Sequence, residues 1–157
     1  MLRPILAALA IVVSAAAVAD GIVEQRITPS RYADAREALV DAIEAEGLIP
    51  SPPSVFGDML SRTGPALGED KPVYVQAEVL HFCSARIAWK MAKENPLNVA
   101  QCPLSMAIFT LPGEPFTVRL AWRSAVGDSP GARAANTLLA RIARQTADNA
   151  GRVGVRD

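Results

Sequence analysis

The clearest pattern of apolar and polar positions lies in residues 28–47, where apolar residues recur at a helical spacing. Thr28 and Pro29 suit a helix start, and Gly47 suits a helix end. This pattern therefore predicts a helix, with one stripe packed on the core: Tyr32, Ala35, Leu39, Ala42, Ile43 and Glu46.

Three further segments have helical spacing. One or two turns are predicted over residues 55–64, and longer helices over residues 85–95 and 130–150. Ile87, Ala88, Met91 and Ala92 form the predicted buried stripe of the second segment, and Leu138, Leu139, Ile142 and Thr146 that of the third.

Alternation predicts a strand at residues 73–83, and residues 21–27 resemble a short strand. Residues 105–111 and 116–122 flank the turn sequence PGEP and are predicted to form a hairpin, whose second arm alternates. Residues 48–54 hold three prolines and are predicted to give an edge strand followed by a loop. In the strand at 73–83, one predicted face is apolar except at its end: Val73, Val75, Ala77, Val79, His81 and Cys83. The fold-class prediction is a single α+β domain with a mostly antiparallel sheet and helices packed on one face.

Residues 1–19 resemble an export signal rather than a part of this domain. Arg3 is followed by a short apolar run, and Ala17-Val18-Ala19 fits the small-x-small pattern of a cleavage site. We therefore predict a signal peptide over residues 1–19, cleaved after Ala19, which places the protein in the periplasm without a stable membrane span. The domain is predicted over residues 20–150, followed by a tail at 151–157.

Composition excludes some classes of partner. The 157 residues include sixteen basic and sixteen acidic side chains, and only 5% are aromatic. A nucleic-acid partner is not predicted, because such proteins usually present basic patches or aromatic stacking surfaces. A small ligand or another periplasmic protein is the predicted partner.

The two cysteines, Cys83 and Cys102, stand nineteen positions apart. A helix after Cys83 would carry the chain away by about 18 Å. The following residues, if extended, could return about 23 Å and bring Cys102 back to it. Export favours a structural disulfide between the two. Redox activity is the alternative, although the pair lacks the Cys-x-x-Cys spacing of thiol oxidoreductases.

His81 is the only histidine in the chain, and it stands two residues before Cys83. A His-x-Cys pair could contribute to a metal or haem site, with Met91 or Met106 as a further ligand, but two ligands do not complete a zinc site. The simpler interpretation is a histidine in the core or at its rim with one hydrogen bond. We therefore predict no cofactor and keep His81 as the metal-ligand candidate.

Other catalytic arrangements are not supported by the sequence. With one histidine and no Gly-x-Ser-x-Gly motif, a serine-hydrolase triad has little basis, and no glycine-rich phosphate loop is present. The sequence therefore leans away from an enzyme and names no catalytic residue. Trp89 either packs beneath a loop or is an exposed anchor for a partner.

Several short motifs resemble the DUF302 family, in its secreted bacterial branch. They are VFGDML at 55–60, RTG at 62–64, FCSA at 82–85, NPLNVAQCP at 95–103 and LPGEP at 111–115, and the resemblance spans about residues 22–123. DUF302 is a family of unknown function. The resemblance implies a small α+β unit that tends to pair as a homodimer, with Cys83 and Cys102 as paired thiols, and it implies no catalytic residue.

Together these patterns predict an exported ligand- or partner-binding accessory module, stapled by a disulfide. The alternative is a periplasmic redox or metal-linked accessory protein that uses His81 and Cys83.

Overall fold

The computed structural model describes residues 17–19 and 21–153 of the chain. The described part contains five strands, four α-helices and one 3-10 segment. In chain order they are β1 (Ala17–Ala19), β2 (Ile22–Ile27), α1 (Tyr32–Ala45), α2 (Phe56–Leu67), β3 (Gln76–Phe82), α3 (Ala85–Glu94), the 3-10 segment (Pro96–Gln101), β4 (Leu104–Thr110), β5 (Val118–Arg123) and α4 (Pro130–Val153).

The strands form one sheet in the order β1-β2-β5-β4-β3, and every neighbouring pair is antiparallel. Helices α1 and α4 pack against each other over one face of this sheet, and α3 packs beside α4. The α+β prediction is therefore confirmed, including the antiparallel sheet and the hairpin β4–β5.

The core lies between the sheet and helices α1 and α4. Strands β3, β4 and β5 contribute large side chains to it, among them Leu80 of β3, Met106 of β4 and Leu120 of β5, and β4 and β5 bury alternate residues. The predicted stripes of α1 and α4 largely coincide with the buried residues, although Tyr32 is only partly buried. In α3 only Met91 is fully buried, because this short helix lies at the margin of the core.

The apolar face predicted for β3, which carries His81, does not point into the core between the sheet and helices α1 and α4. Leu80 pairs with Met106 and Phe82 pairs with Leu104, and all four side chains are buried in the core. His81 and the other odd-numbered residues of β3 therefore point to the opposite face of the sheet. On that side, α2 packs against β3 at Ala77.

Two helix boundaries differ from the prediction. α1 begins at Tyr32 rather than near Pro29, because the N–H of Ser30 donates to the Phe116 carbonyl at 3.0 Å and holds the preceding segment near β5. α2 is longer than one or two turns. It ends at Leu67, and the next residue, Gly68, has a φ of 77°, the left-handed conformation that glycine adopts readily.

The export prediction falls largely outside the described residues. Of residues 1–19, only 17–19 are described, and they pair with β2 as the strand β1. Among the described residues, no helix has the length and apolar character needed to cross a membrane.

Candidate functional site

The two cysteines lie at one end of the β3–β4 pair. Phe82 and Leu104 form the last paired position of this ladder, so Cys83 leaves β3 where Cys102 and Pro103 lead into β4. Antiparallel pairing therefore brings the cysteines together across the α3 connection.

In this structure the predicted disulfide is not formed, and both residues are free thiols, with Cys83 exposed and Cys102 half-buried. The pKa of Cys102 is raised, first by burial and then by the neighbouring Cys83, through its charge and a side-chain hydrogen bond. The arrangement is a neighbouring dithiol with one sulfur open to solvent and one partly enclosed.

His81 lies near this end of the sheet, on the face away from the core. Its cross-strand neighbour is Ser105, and its carbonyl accepts a hydrogen bond from the N–H of Ser51 at 2.8 Å. In the described part of the chain, no three His, Cys, Asp or Glu side chains cluster as metal ligands. The geometry therefore gives no support to a metal site built on His81 and Cys83.

A cavity of about 290 Å³ opens beside this region, between the 3-10 segment and the ends of β4 and β5. Its polar lining residues include Gln101, Ser105 and Arg123, although His81 itself does not line it. The side chain of Gln101 already forms hydrogen bonds within the protein. Its oxygen accepts one from the Val126 N–H at 2.7 Å, and its amide group donates one to Asn98 Oδ1. This cavity is consequently a weaker binding candidate than the two described next.

A larger groove of about 410 Å³ lies between α2 and the segment 69–74, and we call it the α2 groove. Its apolar lining residues include Leu60, Pro65, Leu67, Pro72 and Val73, and its polar ones include Ser61, Thr63, Glu69, Asp70 and Lys71. None of the residues of α2 is fully buried. The helix thus presents apolar surface that the described chain leaves uncovered.

The position of α2 depends on Gly57 and on an aromatic cluster. A Cβ at Gly57 would lie 3.1 Å from the amide nitrogen of Ala77, so only glycine allows this close approach without displacement. Tyr74 contacts Phe56 edge-on at 6.1 Å between ring centroids, and Phe109 at 5.4 Å. These contacts hold the groove against the sheet.

A second cavity, of about 280 Å³, lies where the start of α1 meets the ends of β3 and β4, and we call it the α1 cavity. Its lining residues are Arg31, Tyr32, Val75, Gln76, Thr110, Leu111, Gly113, Glu114 and Pro115. The Tyr32 hydroxyl and the Thr110 hydroxyl are both buried and have no hydrogen-bond partner in the described structure. Leaving such a group unpaired costs about 1–3 kcal/mol, so the pair requires an explanation.

The charged groups around the α1 cavity are paired. Arg36 Nε donates to Glu78 Oε2 at 2.7 Å, and Arg31 Nε donates to Asp34 Oδ2 at 2.7 Å. The pKa of Tyr32 is raised above its ordinary value of 10.0, mainly by burial and then by the Glu78 carboxylate. The Glu78 carboxylate also raises this pKa as a nearby hydrogen-bond acceptor, although the strict geometry of a hydrogen bond to the Tyr32 hydroxyl is not met.

This cavity is not predictable from the local sequence pattern. Tyr32 fell on the predicted core stripe of α1, and Thr110 stands 78 positions later at the end of a strand. Only the pairing of Gln76 with Thr110 and the packing of α1 over that end of the sheet bring them together. The one available signal in the sequence was a tyrosine at the start of a stripe whose central residues are all aliphatic.

Trp89 is an exposed side chain on α3, with 68% of its surface accessible. The ammonium of Lys93 lies 5.8 Å from its ring centroid. Of the two predictions for Trp89, packing beneath a loop is therefore wrong, and its role as a partner anchor stays a prediction.

Comparisons with known proteins identify the fold. No protein-family model matches the sequence, and no curated protein matches it. A solved structure does match: the crystal structure of the uncharacterized conserved protein DUF302 from Bacillus stearothermophilus, at 16% identity and a TM-score of 0.58. The match covers 85% of this chain and 98% of that one. The chain has a DUF302-like fold.

At this identity the likeness establishes the fold alone. The resemblance in short motifs is thus confirmed at the level of the fold, and the secreted branch stays a prediction. Since the matched protein is itself uncharacterized, function must be argued from the site geometry.

Proposed function

We propose that this protein is an exported accessory module that binds a small, largely apolar ligand in the α2 groove. The observation that carries the proposal is the groove itself, whose volume of about 410 Å³ lies in the usual range of small-molecule sites. A helix with no fully buried side chain gains from covering its apolar surface.

The lining of the groove indicates the kind of ligand. Leu60, Leu67 and Val73 offer apolar contact, whereas Glu69, Asp70 and Lys71 supply polar groups to the same groove. A molecule with an apolar body and one polar end suits this arrangement, because the body removes apolar surface from water while the polar end stays hydrated.

The test uses 1-anilinonaphthalene-8-sulfonate, a dye whose fluorescence rises on apolar protein surface. The matched variants are Leu67→Asp, in the groove, and Leu97→Asp, in the 3-10 segment outside it. Leu67 and Leu97 are 74% and 77% exposed, so both substitutions should leave the fold intact.

We expect Leu67→Asp to reduce dye fluorescence several-fold and Leu97→Asp to leave it close to that of the wild type. Equal loss in both variants, or no loss in either, would contradict a ligand site at the α2 groove. Titrating candidate ligands against the bound dye would then rank them by displacement.

We also propose that Cys83 and Cys102 form a disulfide after export. The free thiols are neighbours, so bond formation needs little movement. In thiol–disulfide exchange with a donor disulfide, the two thiols lose two protons and two electrons, and the donor is reduced to two thiols. Intact mass of periplasmic protein, after alkylation without reductant, should show no added alkyl group. Two added groups would reject the disulfide.

Export itself stays a proposal, supported by the pattern of residues 1–19. Cleavage after Ala19 would remove β1 and leave β2 as the edge of the sheet. N-terminal sequencing of the protein from a periplasmic fraction should begin at Asp20. An intact Met1 in that fraction would exclude cleavage.

A redox role is the second candidate, and the unequal environment of the two thiols favours it. Cys83 is exposed and could attack a partner disulfide, while the raised pKa of Cys102 suits a thiol that reacts second. The reduction potential separates the two roles, because structural disulfides generally lie below about −300 mV and catalytic ones lie higher.

A further inference from the structure

We propose that the α1 cavity binds one small neutral hydroxylated molecule, such as a monosaccharide or polyol. The cavity shares no lining residue with the α2 groove, so this inference does not rest on the function proposed there.

The two unpaired hydroxyls are the first observation. Thr110 is only 6% exposed, and less than 1 Å² of its Oγ1 or of the Tyr32 Oη is accessible. Buried hydroxyls in folded proteins normally have a partner in the protein or in bound water. Both residues line the same cavity, but neither oxygen is accessible from it in this structure. A molecule bound there would reach the two oxygens only after each side chain rotates towards it.

The charge balance of the cavity favours a neutral ligand. Arg31 pairs with Asp34, Arg36 pairs with Glu78, and Glu114 accepts two hydrogen bonds from Arg119 Nη2, at 2.6 and 2.8 Å. An anionic or cationic ligand would therefore compete with existing ion pairs. The Tyr32 hydroxyl is protonated near neutral pH, as any phenol with a pKa of 10 or above is, so it can donate as well as accept.

The size and walls of the cavity suit a single sugar ring. A volume of about 280 Å³ lies close to the lower end of the usual range of small-molecule sites, about 300–1,000 Å³. Val75, Leu111 and Pro115 supply apolar surface for the C–H groups of such a molecule, while Gln76 offers an amide at the rim. Apolar walls with a few placed polar groups are the usual composition of a small-molecule site.

The experiment is saturation-transfer-difference NMR with glucose, galactose, mannose, N-acetylglucosamine and glycerol, and with acetate as a charged probe. Thr110→Val and Tyr32→Phe each remove one unpaired hydroxyl. The matched controls are Thr146→Val, whose buried hydroxyl donates to the Ile142 carbonyl, and Tyr74→Phe, outside the cavity.

We expect at least one neutral probe to give a signal with the wild type and both controls, and acetate to give none. Thr110→Val and Tyr32→Phe should each weaken that binding at least tenfold. No signal from any neutral probe, a signal from acetate alone, or unchanged binding in both cavity variants would overturn the proposal.

Two further measurements complete the test. Disaccharides that contain the bound sugar identify the source of the ligand. Weaker binding than the monosaccharide indicates a free sugar, and equal binding indicates the end of a glycan.

The unliganded cavity variants should unfold at or above the temperature of the wild type, because each loses an unpaired buried hydroxyl. A decrease as large as that of Thr146→Val would assign the hydroxyls a structural role and overturn the proposal.

Discussion

Gly57 of α2 lies directly against Ala77 of β3, so closely that a Cβ on Gly57 would stand 3.1 Å from the Ala77 amide nitrogen and 3.6 Å from its Cβ. This contact places α2 against the sheet, and α2 forms one wall of the α2 groove. The atom that a side chain would meet first is backbone in a paired strand, which cannot easily move aside.

Gly57→Ala should therefore lower the free energy of unfolding by about 1–2 kcal/mol, as expected for an overpacked contact. The matched control is Gly151→Ala in α4, where a Cβ would meet nothing within 4 Å. Alanine has the higher helix propensity, so the control should be neutral or slightly stabilising. Urea denaturation measures the free energy of unfolding of both variants. An equal change in the two would show that the contact of Gly57 with Ala77 leaves room for a Cβ.

Glu94 at the end of α3 accepts a hydrogen bond from the Gly131 N–H at 2.8 Å and so caps the start of α4. Glu94→Ala should reduce stability by about 1 kcal/mol, because an otherwise unpaired N–H and a favourable charge near the helix N-terminus are both lost. Glu94→Gln keeps an acceptor oxygen and should lose less. Thermal unfolding of the wild type and both variants in low and high salt separates the effect of the Glu94 charge. The stability difference between the wild type and Glu94→Gln should decrease as the salt concentration rises, because salt screens that charge.

Oxidation of Cys83 and Cys102 should stabilise the protein, because the disulfide would close the loop formed by α3 and the 3-10 segment. A loop of this size contributes about 3 kcal/mol in the chain-entropy treatment. Denaturant midpoints with and without reductant measure the difference. The double variant Cys83→Ser with Cys102→Ser should show none, and a wild type insensitive to reductant would argue against the bond.

The raised pKa of Tyr32 predicts a loss of stability in strong alkali. The unfolded chain releases the phenolic proton at its ordinary pKa of 10.0, before the folded protein does. The stabilising contribution is therefore complete below pH 10 and decreases as pH rises above it. The urea concentration at the unfolding midpoint, measured between pH 9 and 11, should fall less with pH in Tyr32→Phe than in the wild type. Tyr74→Phe keeps Tyr32 and should show the same fall as the wild type.

The sequence determined the elements and their class because those depend on local spacing and local chemistry. The stripe Ala35, Leu39 and Ile43 was sufficient to predict α1, and the alternation in 105–122 was sufficient to predict the hairpin. The return of Cys102 towards Cys83 was also predictable from chain length, because the residues after the helix are long enough, when extended, to span the distance that the helix covers.

Tertiary structure decided which face of β3 is buried, because both faces carry apolar residues and only the register with β4 selects Leu80 and Phe82. It also decided where α2 lies, since the close contact between Gly57 and Ala77 joins two residues that are distant in sequence. The α1 cavity is the clearest case. Tyr32 and Thr110 are distant in sequence and individually ordinary, and their unpaired hydroxyls line one cavity only when α1 packs over the end of the sheet.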